Sequence, residues 1–255
     1  MFSVKAALRR TLGRAGYWVS HRSIMPFGID PIWDIQRLAV RQGIQIRCAF
    51  DVGAHAGQTA SAFLEAFPAA TIHSFEPHPN SFACLDRLRS DRLHTHRLAL
   101  SDGCGEARFY VYDYGEDSNA TVPASMNNSL VQDTQFAIVA GRYEKSISVE
   151  RVTADSFCAQ NGIDRIDLLK IDTEGHEVAV LDGARQTLAD RGVSLVFLEF
   201  ESIVDVPGAV GGALAPAAER LQPLGFRLMA TYPVNMIDRP LYAAFNALFL
   251  RPPGV

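Results

Sequence analysis

The chain has 255 residues, 48% of them hydrophobic and 20% charged, with a formal net charge of −4. That balance suits a soluble globular protein with a substantial core and excludes a general electrostatic pull towards nucleic acid or anionic lipid. The four cysteines (Cys48, Cys84, Cys104, Cys158) lie far apart, with no C-x-x-C pair and no histidine cluster nearby. This argues against structural zinc and a disulfide framework, and for reduced thiols in a cytosolic enzyme.

The sequence opens on "MFSVKAALRRTLGRAGYWVSHR", which carries Lys5, Arg9, Arg10, Arg14 and Arg22, and the first acid is Asp30. Val4, Leu8, Leu12 and Ala15 recur at helical spacing, so a basic amphipathic helix is expected. It reads either as a peripheral contact through residues 1–22 with the inner face of the membrane, or as a helix packed on the domain. It lacks the compact apolar core of a secretory signal, and no run reaches the ~18 apolar residues of a membrane-spanning helix. A second helix is expected at residues 31–42, with Asp30 as cap and Pro31 in the first turn. Residues 1–45 are therefore an N-terminal helical segment, and residues 46–255 a single domain.

Strand-like and helix-like segments then alternate. Strands are expected at 47–52, 71–75 and 95–100, with helices at 57–67 and 79–89. Residues 102–155 break the rhythm: "ARFYVYDYG" and "SISVERVT" have β character, while "EDSNATVPASMNNSL" is polar and turn-rich. They read as an insertion near the site. Strands at 166–171 and 194–200, helices at 177–189 and 213–221, and strands at 226–231 and 243–250 close the chain. Such alternation predicts an α/β fold with a doubly wound, mostly parallel sheet.

Ligands of open α/β sheets bind at the carboxyl ends of the strands. There the first strand runs into "AFDVGAHAGQT", with neither the dinucleotide fingerprint G-x-G-x-x-G nor a P-loop. Asp51 would repel a pyrophosphate but suits an ammonium group, directly or through water. Glu76, at the next strand end, is placed for two ribose hydroxyls. Gly53 and Gly57 allow close approach of the backbone. An acid, a tight glycine turn and a second acid together describe S-adenosylmethionine better than NAD.

Further on, "IDLLKIDTEGHE" puts Lys170 and Asp172 on one face of a strand, with Glu174 and His176 just beyond. Glu199 interrupts the apolar "LVFLEF"; an apolar setting would raise its pKa and suit a general base. Lys170, Asp172, Glu174, His176 and Glu199 are the candidate catalytic residues. Asp172 and Glu199 could also hold Mg²⁺, but two carboxylates do not assign a metal, and none is assigned.

In order, "FDVGAHAGQT", "SFEPHPNSF", "LALSD", "DLLKIDTEGHEVAVLDGA" and "LVFLEF" resemble the FkbM family of S-adenosylmethionine-dependent methyltransferases. The resemblance spans roughly residues 29–250. It implies a class I methyltransferase (Rossmann-like) fold, with a seven-stranded sheet whose last strand is antiparallel. It also implies that Asp51, Gly53, Gly57 and Glu76 bind S-adenosylmethionine, with Ala54, His55 and Pro77 beside them. Leu100 and Ser101 would flank the adenine and Asp172 the methionine part. His55 stands where the family commonly has Asn. The implied activity is O-methylation of a sugar, glycolipid or polyketide-type acceptor. The alternatives are a non-catalytic nucleoside-binding scaffold and an NAD-dependent oxidoreductase.

Overall fold

The computed structural model describes residues 12, 25–111, 128–132, 145–190, 192–203, 214–238 and 241–253. The expected N-terminal helix and most of the polar loop within 102–155 lie outside these residues. Among the described residues, no helix is long and apolar enough to cross a membrane.

Helix α1 (Pro31–Gln42) begins as its sequence dictates. Asp30 accepts a hydrogen bond from the Trp33 amide at 2.9 Å, Pro31 fills the first turn, and Gly43 closes the helix at φ +64°. Its apolar face, Ile35, Leu38 and Ala39, packs on the sheet against Leu168, Leu195 and Phe197. The buried Asp34 accepts from the Tyr232 hydroxyl at 2.9 Å and from the Gly28 amide at 2.8 Å. These bonds pin the helix to the far edge of the sheet.

The elements that follow are β1 (Cys48–Val52), α2 (Gln58–Ala66), β2 (Thr71–Phe75), α3 (Pro79–Leu85), β3 (Leu93–His96), β4 (Ala99–Leu100), β5 (Gly105–Val111), β6 (Lys145–Val152) and α4 (Ala154–Asn161). Then come β7 (Ile166–Ile171), α5 (Glu177–Asp182), α6 (Arg185–Ala189), β8 (Val193–Ile203), α7 (Leu214–Leu221), β9 (Arg227–Asp238) and β10 (Leu241–Leu250). Seven strands form the main sheet in the order β3-β2-β1-β7-β8-β10-β9, and only β10 runs antiparallel to its neighbours. This is the expected doubly wound sheet with its antiparallel last strand. The strand order reverses at β1–β7, which opens the crevice there. Every residue of β7 is buried, as a strand covered on both faces requires.

Three expectations change. The strand expected at 95–100 is two strands: β3 ends in the main sheet, and β4 pairs with β6 in a separate three-stranded sheet, β4-β6-β5. The helix expected at 177–189 breaks at Gly183, where the backbone passes so close to Ser101 that a Cβ would lie 1.9 Å from its carbonyl oxygen. Helix α4 was not expected. It is eight residues long, too short for a clear apolar period, and starts where Thr153 accepts from the Ser156 amide at 3.0 Å.

Candidate active site

A cavity of about 220 Å³ opens at the carboxyl ends of β1, β2, β7 and β8. Its two ends differ in chemistry. At one end the β1–α2 loop folds back on β2: the Gly53 and Ala54 amides both donate to the Phe75 carbonyl at 3.0 Å. Gly53 has φ +74°, and a Cβ on it would stand 1.7 Å from the Asp172 carbonyl oxygen. Only glycine fits. His55 is also left-handed, at φ +48°, a region that among non-glycine residues favours Asn, Asp and His. The departure from Asn therefore preserves the turn.

Glu76 is buried and held by both oxygens. Its Oε2 accepts from the His55 amide and its Oε1 from the His78 amide, each at 2.8 Å. Burial pushes its pKa up to about 7 despite those bonds. Each oxygen keeps acceptor capacity, and the residue lines the cavity together with the apolar Phe75, Leu98, Leu100, Phe109 and Leu130.

At the other end Asp172, Glu174 and Glu199 bring carboxylate oxygens within 4.8 Å of one another. Burial opposes charge on Asp172, but Lys170, with its Nζ 3.4 Å from Oδ2, holds this carboxyl below the ordinary range. Burial, then the charges of Asp172 and Glu174, push Glu199 well above it. The two carboxyls are hydrogen-bonded to each other, so Asp172 is the member of the pair that ionises first and Glu199 the member that keeps its proton to higher pH.

Glu174 sits at φ +54° before Gly175 at φ +92°. Buried Glu177 braces this turn, accepting on Oε1 from the Thr173 amide (2.9 Å), the Thr173 hydroxyl (3.1 Å) and the Gly175 amide (3.1 Å). Burial raises its pKa to about 7.

Of the expected cofactor residues, Gly53, His55, Glu76, Pro77, Leu100 and Asp172 line the cavity. Asp51, Ala54 and Ser101 are buried behind that wall. Gly57 is also outside the wall: it precedes α2 and packs on Leu88, whose Cδ1 would lie 2.3 Å from a Cβ there. Asp51, expected to meet an ammonium group directly or through water, is fully buried, and its Oδ1 pairs with Lys170 at 3.1 Å.

Among the catalytic candidates, Asp172, Glu174, His176 and Glu199 line the cavity and Lys170 does not. Lys170 lies outside the cavity wall. It is 3% exposed, and although burial opposes its charge, Asp172 and Asp51 raise its pKa. An ammonium so held has no lone pair to act as a base. His176 Nε2 lies 2.9 Å from the Ser101 hydroxyl, and burial lowers its pKa. It belongs to the wall near Leu100, away from Glu199.

Sequence reasoning did not single out Asn246, Val234, Phe109 or Leu130, all of which line the cavity. Asn246 is the register partner of Glu199. It is a polar residue within the apolar "AAFNALFL", the same signal that marked Glu199.

The wall suits S-adenosylmethionine. An apolar slot beside an acid with spare acceptor capacity fits a nucleoside, and the glycine turn against Asp172 fits an amino-acid end. Comparison with known proteins agrees. A family model described as "Methyltransferase FkbM domain" matches residues 51–210. The 2-O-methyltransferase NoeI of Sinorhizobium fredii is 30% identical over 141 residues, covering 54% of this chain and 57% of that protein. The hexuronic acid methyltransferase AglP of Haloferax volcanii is 26% identical over 174 residues, covering 68% and 63%. The 31-O-demethyl-FK506 methyltransferase FkbM of Streptomyces tacrolimicus is 29% identical over 203 residues, covering 70% and 75%. The chain spans less than two thirds of the first two relatives. The match is to a methyltransferase and favours neither an oxidoreductase nor a scaffold, and its cofactor is S-adenosylmethionine. The chain belongs to the FkbM methyltransferase domain family.

Proposed function

We propose that the chain is an O-methyltransferase that moves a methyl group from S-adenosylmethionine to a hydroxyl of a sugar, glycolipid or polyketide-type acceptor. One observation carries the reading: a single cavity has a doubly anchored acid, Glu76, at one end and the clustered carboxyls of Asp172, Glu174 and Glu199 at the other. The names of the relatives support it, since they specify a 2-O position, a hexuronic acid and a 31-O position.

When bound, the cofactor supplies an electrophilic methyl group. In this reading Glu76 takes the ribose hydroxyls, and the Gly53 loop and Asp172 face the amino-acid part. Glu199, once ionised, takes the proton of the acceptor hydroxyl, while Glu174 and Asn246 orient the acceptor. The apolar wall keeps water out. Holding the two reactants in line can by itself contribute on the order of several kcal/mol. His176 supports the wall through Ser101.

Calorimetric titration with S-adenosylmethionine tests the assignment. Glu76→Gln removes the carboxylate charge, and affinity should fall about ten- to a hundredfold, the range for a hydrogen bond to a charged group. Unchanged affinity would remove Glu76 from the cofactor site.

A further inference from the structure

We propose that Lys170 is a positioning residue: its ammonium ties the glycine loop of the cofactor end to Asp172 at the acid end and supplies the positive charge against which the Asp172–Glu199 pair is set. The inference rests on the cavity being the methyl-transfer site, but concerns a residue outside its wall.

The geometry exceeds what a structural ion pair needs. Asp51 and Lys170 are register partners on β1 and β7, and Nζ lies 3.1 Å from Asp51 Oδ1. That contact alone would cancel the buried charge. The same Nζ also donates to the Gly53 carbonyl at 2.9 Å and to the Val52 carbonyl at 3.3 Å, and it pairs with Asp172 at 3.4 Å. These additional contacts all lead to the site. Two are on the strand end and loop that shape the cofactor pocket, and the third is on an acid of the cavity wall. One buried cation therefore spans both ends of the cavity from below.

The charged and titratable groups facing the pair come from every neighbouring element. Lys170 lies below on β7 and Asp51 on β1, and His55 approaches from the β1–α2 loop. Glu174 and Glu177 come from the turn before α5 and its first residue, while Glu76 faces Lys170 from the end of β2. Burial lowers the pKa of His55, so Lys170 is the permanent cation of this set among the described residues. Without it, Asp172 and Glu199 would face Asp51, Glu76, Glu174 and Glu177 with no permanent cation left in this set among the described residues.

The test separates charge, tether and fold. Lys170→Met alone leaves Asp51 buried and uncompensated. Asp51→Asn/Lys170→Met instead replaces the pair by neutral groups of similar size, a change that buried ion pairs tolerate. Asp51→Asn/Lys170→Gln keeps a donor for the Gly53 carbonyl and serves if the Met variant does not fold. Two readouts on the full chain need no acceptor: calorimetric binding of S-adenosylhomocysteine, and an infrared pH titration of the protonated-carboxyl band that Glu199→Gln removes.

Both double variants should hold that band to higher pH, by about one to three units, the effect of losing an opposite charge at this range. Asp51→Asn alone should not raise it. The Met variant should bind S-adenosylhomocysteine about tenfold more weakly, the loss of one hydrogen bond to a charged group, and the Gln variant should recover part of that loss. Double variants that titrate and bind like the wild type would make Lys170 a plain structural ion and overturn the proposal. Failure of the wild type to bind the nucleoside is a different result: it removes the methyltransferase reading, while the infrared titration still tests the control of Asp172 by Lys170.

Discussion

The two ends of the cavity are built by different means. At the cofactor end the decisive groups are backbone: amides of Gly53 and Ala54 on the Phe75 carbonyl, and amides of His55 and His78 on Glu76. At the acid end they are side chains from the end of β7, from β8 and from the turn before α5, set by charge on charge. Backbone geometry tolerates change of side chain but not of chain path. A charge network behaves the opposite way: it tolerates small shifts but not the loss of one member. Substitutions at the two ends should therefore fail differently.

The largest effect is expected at Glu199. Glu199→Gln should lower turnover by about 10² to 10⁴, the range for general-base catalysis, while calorimetric affinity for S-adenosylhomocysteine stays near wild type. The sign of the pH dependence follows from the same group. In the proposed mechanism Glu199 acts only when deprotonated, so the wild-type rate should rise with pH on a limb well above the ordinary carboxylate range. A pH–rate profile should lose that limb in Glu199→Gln.

At the cofactor end, Gly53→Ala should cost about 3 kcal/mol or more of stability, because strain at positive φ adds to overlap with a backbone oxygen. Gly57→Ala should cost less, about 1–2 kcal/mol: its φ is also positive, but the obstructing atoms are the ends of Leu88 and Leu85. Denaturant unfolding of the two variants would compare them, and equal losses would contradict the contrast.

A third effect lies at the edge of the sheet, away from both ends. His73 Nδ1 lies 3.2 Å from His96 Nε2, and the His73 and His94 rings stack with centroids 5.1 Å apart. Burial above all, then neighbouring histidines, lowers His73 and His96 from 6.5 to about 4. The folded state therefore binds fewer protons than the unfolded chain. The contribution of these two histidines is full above 6.5 and is lost as the pH falls towards about 4, while Glu76 and Glu177, raised to about 7, contribute with the opposite sign. The difference between the melting curves of the wild type and His73→Phe should isolate this contribution, the wild type losing stability relative to the variant as the pH falls across that window. The smallest effect is expected at His55→Asn, which suits the same left-handed turn. Stability should change by less than about 0.5 kcal/mol, and cofactor affinity should hold within about twofold if that turn is unchanged.

Much of this was legible in the chain. The alternation of "RCAFDV", "TIHSF" and "IDLLKI" with amphipathic helices specified the parallel sheet, because a buried strand and a crossover helix each write their period into sequence. The break of the expected 95–100 strand was not legible: its two halves join different sheets, a choice made by partners far along the chain. Asn246 was missed although its polar interruption of an apolar strand matches that of Glu199, because only the antiparallel register of β10 brings the two side by side.

The sequence by itself determined the fold class, the glycine turn and the set of acids at the strand ends, since these depend on local period, backbone sterics and residue type. Tertiary structure decided which of those acids face the cavity. Asp51 and Lys170 share their strand positions with plausible ligands, yet pairing across β1 and β7 turns them into a buried ion pair beneath the site. Asp172, one step past the end of β7, reaches the cavity and meets Glu199. A charge is placed by its neighbours in space, and those neighbours come from strands more than a hundred residues apart in the case of Asp51 and Lys170.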